Sequence, residues 1–438
     1  MNDILTNVLA FGFALGIIIV VHEAGHLLVA KLFGVRVLTF SIGFGKRLAG
    51  FERGGTDYRV SAIPLGGYVR LSGENPEESS GDPGEFLGKP RWQRVLVYLA
   101  GPAMNVVLSI ALFAVLFMVG IELPNLPAMP PEIGAVEEGS SAAKAGLAKG
   151  DLVVKVNGEH VGNWQGLSMA LLTSPDKPVT LLVRRGNRTF SAAVTPRRVP
   201  HYDVGDHAGL DPVLRPQIRK IEPGKPAALA GLRPGDEIRA VDGRPITETR
   251  DFLDAIEKHP GTAMTVEVVR DSKPLLVRVV PALVGKVGRI GAYIGFYQRY
   301  PPGQALVESL RYNADIVVGT FQVLGKIFRR EMSAKGAFAG PIEIAAQSGA
   351  AARAGFKYLL NLMGFVSLSI AILNLMPIPI LDGGQIFILL IEEVIRRDLS
   401  LRVKEVISQV GLVLILMLMV VVVYFDLMKH LPGLLPGS

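Results

Sequence analysis

His22-Glu23-Ala24-Gly25-His26 sets two imidazoles four residues apart, with a carboxylate next to the first. On a helix this spacing brings both rings to one face, where they can share a metal ion. Glu23 is then close enough to handle water activated there. The chemistry implied is zinc-assisted hydrolysis. The competing reading is a helix that carries polar residues by chance. With seven histidines in 438 residues, a random match has odds on the order of one in a few hundred. Two histidines and a carboxylate at the end of an apolar run also cost free energy unless paired or bound.

A second polar group lies in Asn374-Leu375-Met376-Pro377-Ile378-Pro379-Ile380-Leu381-Asp382-Gly383-Gly384. Two prolines prevent an ordinary helix, and the glycines permit unusual backbone angles or close approach. A lone carboxylate beside a membrane helix is costly, so Asp382 is a functional candidate, against the alternative of a helix cap. Asn105, in Gly101-Pro102-Ala103-Met104-Asn105, needs a partner in lipid. A neighbouring helix or a polar active site can supply it.

Four apolar runs must position these groups: Ile4 to Val21, Val95 to Ile121, Leu359 to Met376 and Val406 to Phe425. Each is about 18 residues or longer, enough to cross the roughly 30 Å hydrocarbon core as a helix. The first run has no basic residue ahead of it and no clear cleavage site behind it, so it reads as a retained helix rather than a signal peptide. The loop after it is rich in Lys and Arg, from Lys31 to Arg94, and Arg396, Arg397, Arg402 and Lys404 follow the third run. The positive-inside rule puts both loops in the cytoplasm and the N-terminus outside. His22, His26 and Asp382 then share one membrane depth. Two imidazoles and one carboxylate with an open fourth position form a recognised catalytic zinc arrangement.

By parity the region from about 122 to 355 lies outside, and its basic residues do not contradict this because long domains translocate largely regardless of charge. The net charge of +7 is mostly membrane-flanking Lys and Arg, and no nucleic-acid partner is expected. The chain has no cysteine, which excludes a disulfide framework and a thiolate metal site.

The outer region repeats itself at an offset of 85 residues: Gly139 to Asp151 aligns without gaps on Gly224 to Asp236. Val156-Asn157-Gly158 aligns on Val241-Asp242-Gly243, and Val194 and Pro196 on Val279 and Pro281. Two copies of one small domain explain this. Each copy resembles a PDZ domain of the kind found in bacterial membrane and periplasmic proteases, which captures extended chain ends along a strand edge. A pair of rigid spacers is the alternative. After the copies, Leu306, Leu310, Val317, Phe321, Leu324 and Phe328 recur at helical spacing, fit either to lie on the membrane or to pack on protein.

The chain resembles the site-2 protease family of zinc intramembrane metalloproteases. HEAGH, NLMPIPILDGG and paired PDZ-like repeats carry the resemblance, with Ser41-Ile42-Gly43-Phe44-Gly45, the Gly101 to Asn105 stretch and Gly340-Pro341-Ile342-Glu343-Ile344-Ala345. It implies a Zn2+ enzyme with His22, His26 and Asp382 as ligands. Glu23 would be the general base, passing its proton on to the leaving amine. Asn374, Pro377 and Pro379 would hold substrate, with Asn105 beside them, while the loop after His26 receives the substrate as an added strand. Expected partners are single-pass transmembrane substrates such as an anti-sigma factor or remnant signal peptides, peptide ends at the PDZ-like copies, and the lipid bilayer. The expected location is the bacterial inner membrane, with the copies outside and acting as a gate against bulky substrates.

The fold expected is a polytopic α-helical membrane protein with four transmembrane helices, a membrane-associated β-loop and two inserted PDZ-like β-rich domains. The expected boundaries place the first membrane helix and its zinc motif in 1–34, the β-loop in 35–72, a cytoplasmic loop in 73–92 and the second membrane helix in 93–121. The PDZ-like domains take 122–203 and 204–290, and amphipathic helices 303–352. The third membrane helix takes 356–378, the LDGG motif with a cytoplasmic loop 379–404, and the fourth helix 405–428. A catalytically inactive, membrane-anchored PDZ scaffold is the rival reading. Retention of Glu23, unnecessary as a ligand, speaks against it.

Overall fold

An almost continuous apolar sequence makes Asn2–Leu32 one helix, α1. The computed structural model describes residues 2–75, 77, 79–121, 129–199, 204–214, 216–246, 248–270, 273–295, 299–329 and 339–430. It divides into two units: Met1–Leu116, Pro302–Val317 and Phe338–Ser438 form the first, and Phe117–Pro301 and Val318–Ala337 the second.

In the first unit α1 is followed by strands β1 (Val37–Arg53) and β2 (Thr56–Leu71), then by helix α2 (Arg91–Val119). Each strand is bent into two arms. Phe40 pairs with Val69 on one side and Tyr58 on the other, and Tyr58 also pairs with Phe51. The arms therefore lie side by side in the order 67–71, 37–42, 56–61, 47–53. Gly43, at φ +89°, permits the bend where a side chain would be strained. The sheet is tied to α1 by an apolar cluster that includes Leu27, Ala30, Val35, Phe40 and Leu71, and by Lys31 Nζ, which donates to the Tyr58 hydroxyl at 2.7 Å.

The second unit contains the repeat. The first copy runs β3 (Ile133–Val136), α3 (Ser141–Lys144), β4 (Leu152–Val156), β5 (Glu159–His160), α4 (Trp164–Leu172), β6 (Val179–Arg185), β7 (Arg188–Val194), β8 (Arg198–Val199), β9 (Val204–Gly205) and β10 (Leu210–Pro212). The second runs β11 (Ile218–Ile221), α5 (Pro226–Leu229), β12 (Glu237–Val241), β13 (Arg244–Pro245), α6 (Thr249–Glu257), β14 (Met264–Arg270), β15 (Lys273–Val279), β16 (Ala282–Val284), β17 (Val287–Arg289) and β18 (Ala292–Ile294). Their four-stranded sheets have matching orders, β5-β4-β6-β7 and β13-β12-β14-β15. Val153, Leu181 and Val183 fill one core where Ile238, Val266 and Val268 fill the other.

The offset of 85 extends to contacts that the sequence comparison did not single out. Asp151, with no exposed side-chain surface, takes a bidentate pair of bonds from Arg185 at 2.6 and 2.7 Å, and Asp236 takes the same from Arg270 at 2.7 Å each. Asn157 and Asp242 both sit at positive φ and accept from the Thr180 and Thr265 N–H. Burial pushes the Asp151 carboxyl up, but the Arg185 guanidinium and the Ala148 N–H outweigh it and hold the group below the usual carboxylate range. A depressed folded-state value means stability present above the unfolded value and lost as pH falls through the folded one. Asp151→Ala is expected to destabilise its copy by about 2 kcal/mol at neutral pH, because Arg185 stays half in solvent. Limited proteolysis of the full chain should then be roughly 30-fold faster at that copy, and the difference from the parent should shrink in acid. Equal proteolysis rates at neutral pH would contradict this.

The chain continues through α7 (Pro302–Phe328), α8 (Pro341–Ala354), α9 (Phe356–Leu375), α10 (Asp382–Ile395) and α11 (Leu401–His430). Four helices among the described residues are long and apolar enough to cross a membrane: Asp3–Leu32, Arg91–Val119, Phe356–Leu375 and Leu401–Leu427. The amphipathic stripe of α7 does not pack as a core stripe would. Leu306, Leu310, Phe321 and Phe328 stay exposed, while Ala305, Ser309 and Asn313 are the buried side. Ser109 of α2 donates to Asn313 at 2.7 Å. In α8 the N-terminal amides of Gly340, Ile342 and Glu343 donate to the buried Asp426 carboxylate of α11, which supplies the acceptor such an end lacks.

Within 379–404, where the sequence reading has the LDGG motif and a cytoplasmic loop, α10 takes Asp382–Ile395. Gly383 and Gly384 press against the backbones of Leu375 and Met376 and of Ile378 and Pro379. The glycines thus serve close approach, one of the two uses read from the sequence, and α10 folds back beside the end of α9.

Candidate metal centre

Helix α1 presents His22 and His26 one turn apart with their rings nearly perpendicular, at 81°. The start of α10 brings Asp382 to them. The two Nε2 atoms are 3.2 Å apart, His22 Nε2 is 3.3 Å from Asp382 Oδ2, and His26 Nε2 is 3.6 Å from Asp382 Oδ1. A tetrahedral zinc site with bonds of about 2.0–2.1 Å has edges of about 3.3–3.4 Å. The His22–His26 and His22–Asp382 separations are close to such edges, the nearest approach of His26 to the carboxylate is through its other oxygen and somewhat longer, and the three side chains suit zinc in kind. Among the described residues they are the one group of three or more His, Asp or Glu side chains so arranged.

The back of the site is α2. His26 Nδ1–H donates to the Val97 carbonyl at 2.8 Å, which leaves Nε2 to face Asp382. One turn on, Gly101 has no side chain, and a methyl there would collide with His26 Nε2 and crowd His22. A further turn on, the Asn105 amide meets His22 Nδ1 at 3.3 Å. Gly25 allows the backbones this approach, since a side chain there would strike the Ala100 carbonyl.

His22, Glu23, His26, Asn105, Asn374 and Asp382 all line one cavity of about 1130 Å³. They come from three separate stretches, 22–26, 105 and 374–382, and the fold collects them. Pro377 and Pro379 are not in the cavity lining. Pro379 instead supports α10 and α11, its backbone lying against Gly384 and Gly411. Ile380, between the prolines and Asp382, is held at φ +90°, a strained angle for a β-branched residue and one that recurs at functional sites.

Other lining residues were not foreseen. Gly67, Tyr68 and Val69 present the outer edge of the 67–71 arm to the cavity, with Gly67 close to Glu23. At the far end Glu392 of α10 is wholly buried and pairs with Lys404 of α11 at 2.7 Å. The signal for Gly101 is present, four residues before Asn105 in the same motif; the signal for Glu392 is not, since a carboxylate four residues before Arg396 and its basic loop reads as surface.

The sequence profile of Peptidase family M50 matches residues 10–418. The chain belongs to peptidase family M50. It is 30% identical to the "Regulator of sigma-E protease RseP" of Salmonella typhimurium over 97% of this chain and 99% of the relative. To the protein of that name in Escherichia coli K12 it is 29% identical, with the same shares covered. A "Putative zinc metalloprotease" of Ralstonia nicotianae is 32% identical, over 97% of this chain and 98% of its own. Among solved structures, a PDZ domain of an SdrC-like protein from Listeria monocytogenes aligns with 18% of this chain and 86% of its own, at 21% identity and a TM-score of 0.17. As an M50 member the protein is a zinc metalloendopeptidase with membrane-length helices.

Proposed function

We propose that this M50 peptidase cuts single-pass membrane proteins within their transmembrane segments, after their outer domains have been trimmed. The convergence of His22, His26 and Asp382 beside Glu23, between helices of membrane length, carries this reading. His22, His26 and Asp382 hold zinc. Zinc supplies Lewis-acid polarisation of the scissile carbonyl and of the attacking water. Glu23 takes the proton from that water and passes it to the leaving amine. The Gly67 to Leu71 edge, which lines the cavity, receives the unwound substrate as an added strand. Asn374 holds that strand from the opposite wall, and Pro377 and Pro379 fix the chain that carries Asn374 and Asp382. A transmembrane helix protects its own peptide bonds, so unwinding at such an edge must precede cleavage.

The site lies near the cytoplasmic face of a bacterial inner membrane, with the N-terminus outside. The two repeat copies are PDZ-like domains on the outer side that bind chain ends and screen out substrates with bulky outer domains; an anti-sigma factor is the expected class of substrate. The relatives named as regulators of sigma-E support that class.

The test uses purified full-length protein in vesicles with one single-pass substrate, trimmed or untrimmed outside. Cleavage should fall inside the apolar segment and favour the trimmed form. Deleting residues 122–290 should raise cleavage of the untrimmed form. If untrimmed substrate stays uncut after the deletion, the screening role is wrong, and if cuts fall only in soluble segments, the intramembrane reading is wrong.

A further inference from the structure

Asn105 has no exposed surface, and its side-chain oxygen has no hydrogen-bond partner, while its nitrogen lies 3.3 Å from His22 Nδ1. That arrangement suits an imidazole whose proton is on Nε2, facing the Asp382 carboxylate. It does not suit one that offers Nε2 to a metal. An imidazole that binds metal through Nε2 carries its proton on Nδ1, and that N–H would then point at the amide's own N–H groups, donor against donor. Half a turn of the amide about its last bond removes the conflict. The unpartnered oxygen then takes the nitrogen's place and accepts the Nδ1–H.

We propose that Asn105 is the positioning residue for His22, accepting its Nδ1–H through the amide oxygen and thereby fixing the ring with Nε2 turned to the metal. The proposal rests on His22 being a ligand. The sister ring shows what such a partner does: His26 Nδ1–H is held by the Val97 carbonyl at 2.8 Å. Val97, Gly101 and Asn105 follow one another at four-residue steps along one face of α2, so this face carries the acceptor for one ring, the space for both and the acceptor for the other. Ser367 of α9 donates to the Asn105 backbone carbonyl at 2.8 Å, which anchors the turn of α2 that bears the amide. Asn105, expected from the sequence among the residues that hold substrate, thus serves a metal ligand instead. Its motif is explained as a whole, with the glycine admitting the two rings and the asparagine orienting one of them.

Partners behind a metal-bound histidine are worth about 10–100-fold in metal affinity. Asn105→Leu keeps the size and removes the acceptor, and Asn105→Asp keeps an acceptor in the same place. Zinc retained by each full-length protein is measured against graded chelator, alongside KM and kcat for a trimmed single-pass substrate. Asn105→Leu is expected to bind zinc about 10–100-fold more weakly and to lose kcat at subsaturating zinc with KM unchanged, while Asn105→Asp holds zinc as the parent does. Parent-like zinc affinity in Asn105→Leu with a raised KM overturns the proposal in favour of a substrate contact. Equal loss of zinc in both variants overturns it too, because the acceptor is then not what matters. His22→Ala separates this from the underlying assignment: if it also keeps zinc like the parent, His22 is not a ligand and the metal site itself is misassigned.

Discussion

Glu23→Gln is expected to reduce turnover of a trimmed single-pass substrate by about 10²–10⁴-fold, the range for loss of a general acid–base group. Zinc should remain stoichiometric. Glutamine keeps the size of the side chain but cannot take a proton, so the change isolates the proton transfer from the architecture. The geometry supports that separation: Glu23 lines the cavity with the two histidines but is not among the three side chains whose atoms converge. KM should change little, since the glutamine carbonyl can still accept the backbone N–H of Val69 on the strand edge that Glu23 meets. Parent-like turnover in Glu23→Gln would remove Glu23 from the chemistry.

Asp382→Ala acts on the other half of the site. It leaves two imidazoles 3.2 Å apart with no carboxylate opposite, so zinc loses an anionic ligand. The expected loss of zinc affinity exceeds the about 10–100-fold attached to a partner behind a ligand, and activity should fall with occupancy. Dialysis against graded chelator followed by metal analysis reads it directly. Glu23→Gln and Asp382→Ala should therefore part ways: both inactive, one loaded and one empty. Stoichiometric zinc in Asp382→Ala means the third ligand lies elsewhere.

Much of this site could be read from the sequence because its signals are local or topological. His22 and His26 face one way because a helix repeats every 3.6 residues, and Asp382 reached them through charge asymmetry between loops. What remained hidden depends on contacts in space. The two arms of β1 and β2 pair with one another in an order no hairpin rule gives, since 37–42 has neighbours on both sides. Gly383 and Gly384 do make the close approach their type allows, but that it is to the backbone of residues 375–379 is a contact in space. The Asp151–Arg185 and Asp236–Arg270 pairs join residues 34 positions apart that meet only because neighbouring strands bring them to one end of each sheet. In α7 the apolar stripe is exposed and the small polar side is buried; that inversion suits a helix whose apolar face meets lipid rather than protein. Asn105 could be singled out as polar in an apolar run, but which ring it serves depends on how α1 and α2 meet.

Zinc K-edge X-ray absorption of the full-length Glu23→Gln protein in vesicles tests the three-ligand site most directly. Two imidazole nitrogens at about 2.0–2.1 Å and carboxylate oxygen at about 2.0–2.2 Å, with one imidazole lost in His26→Ala, is the result this account predicts. A spectrum with fewer than two imidazoles, or one that His26→Ala leaves unchanged, would contradict it.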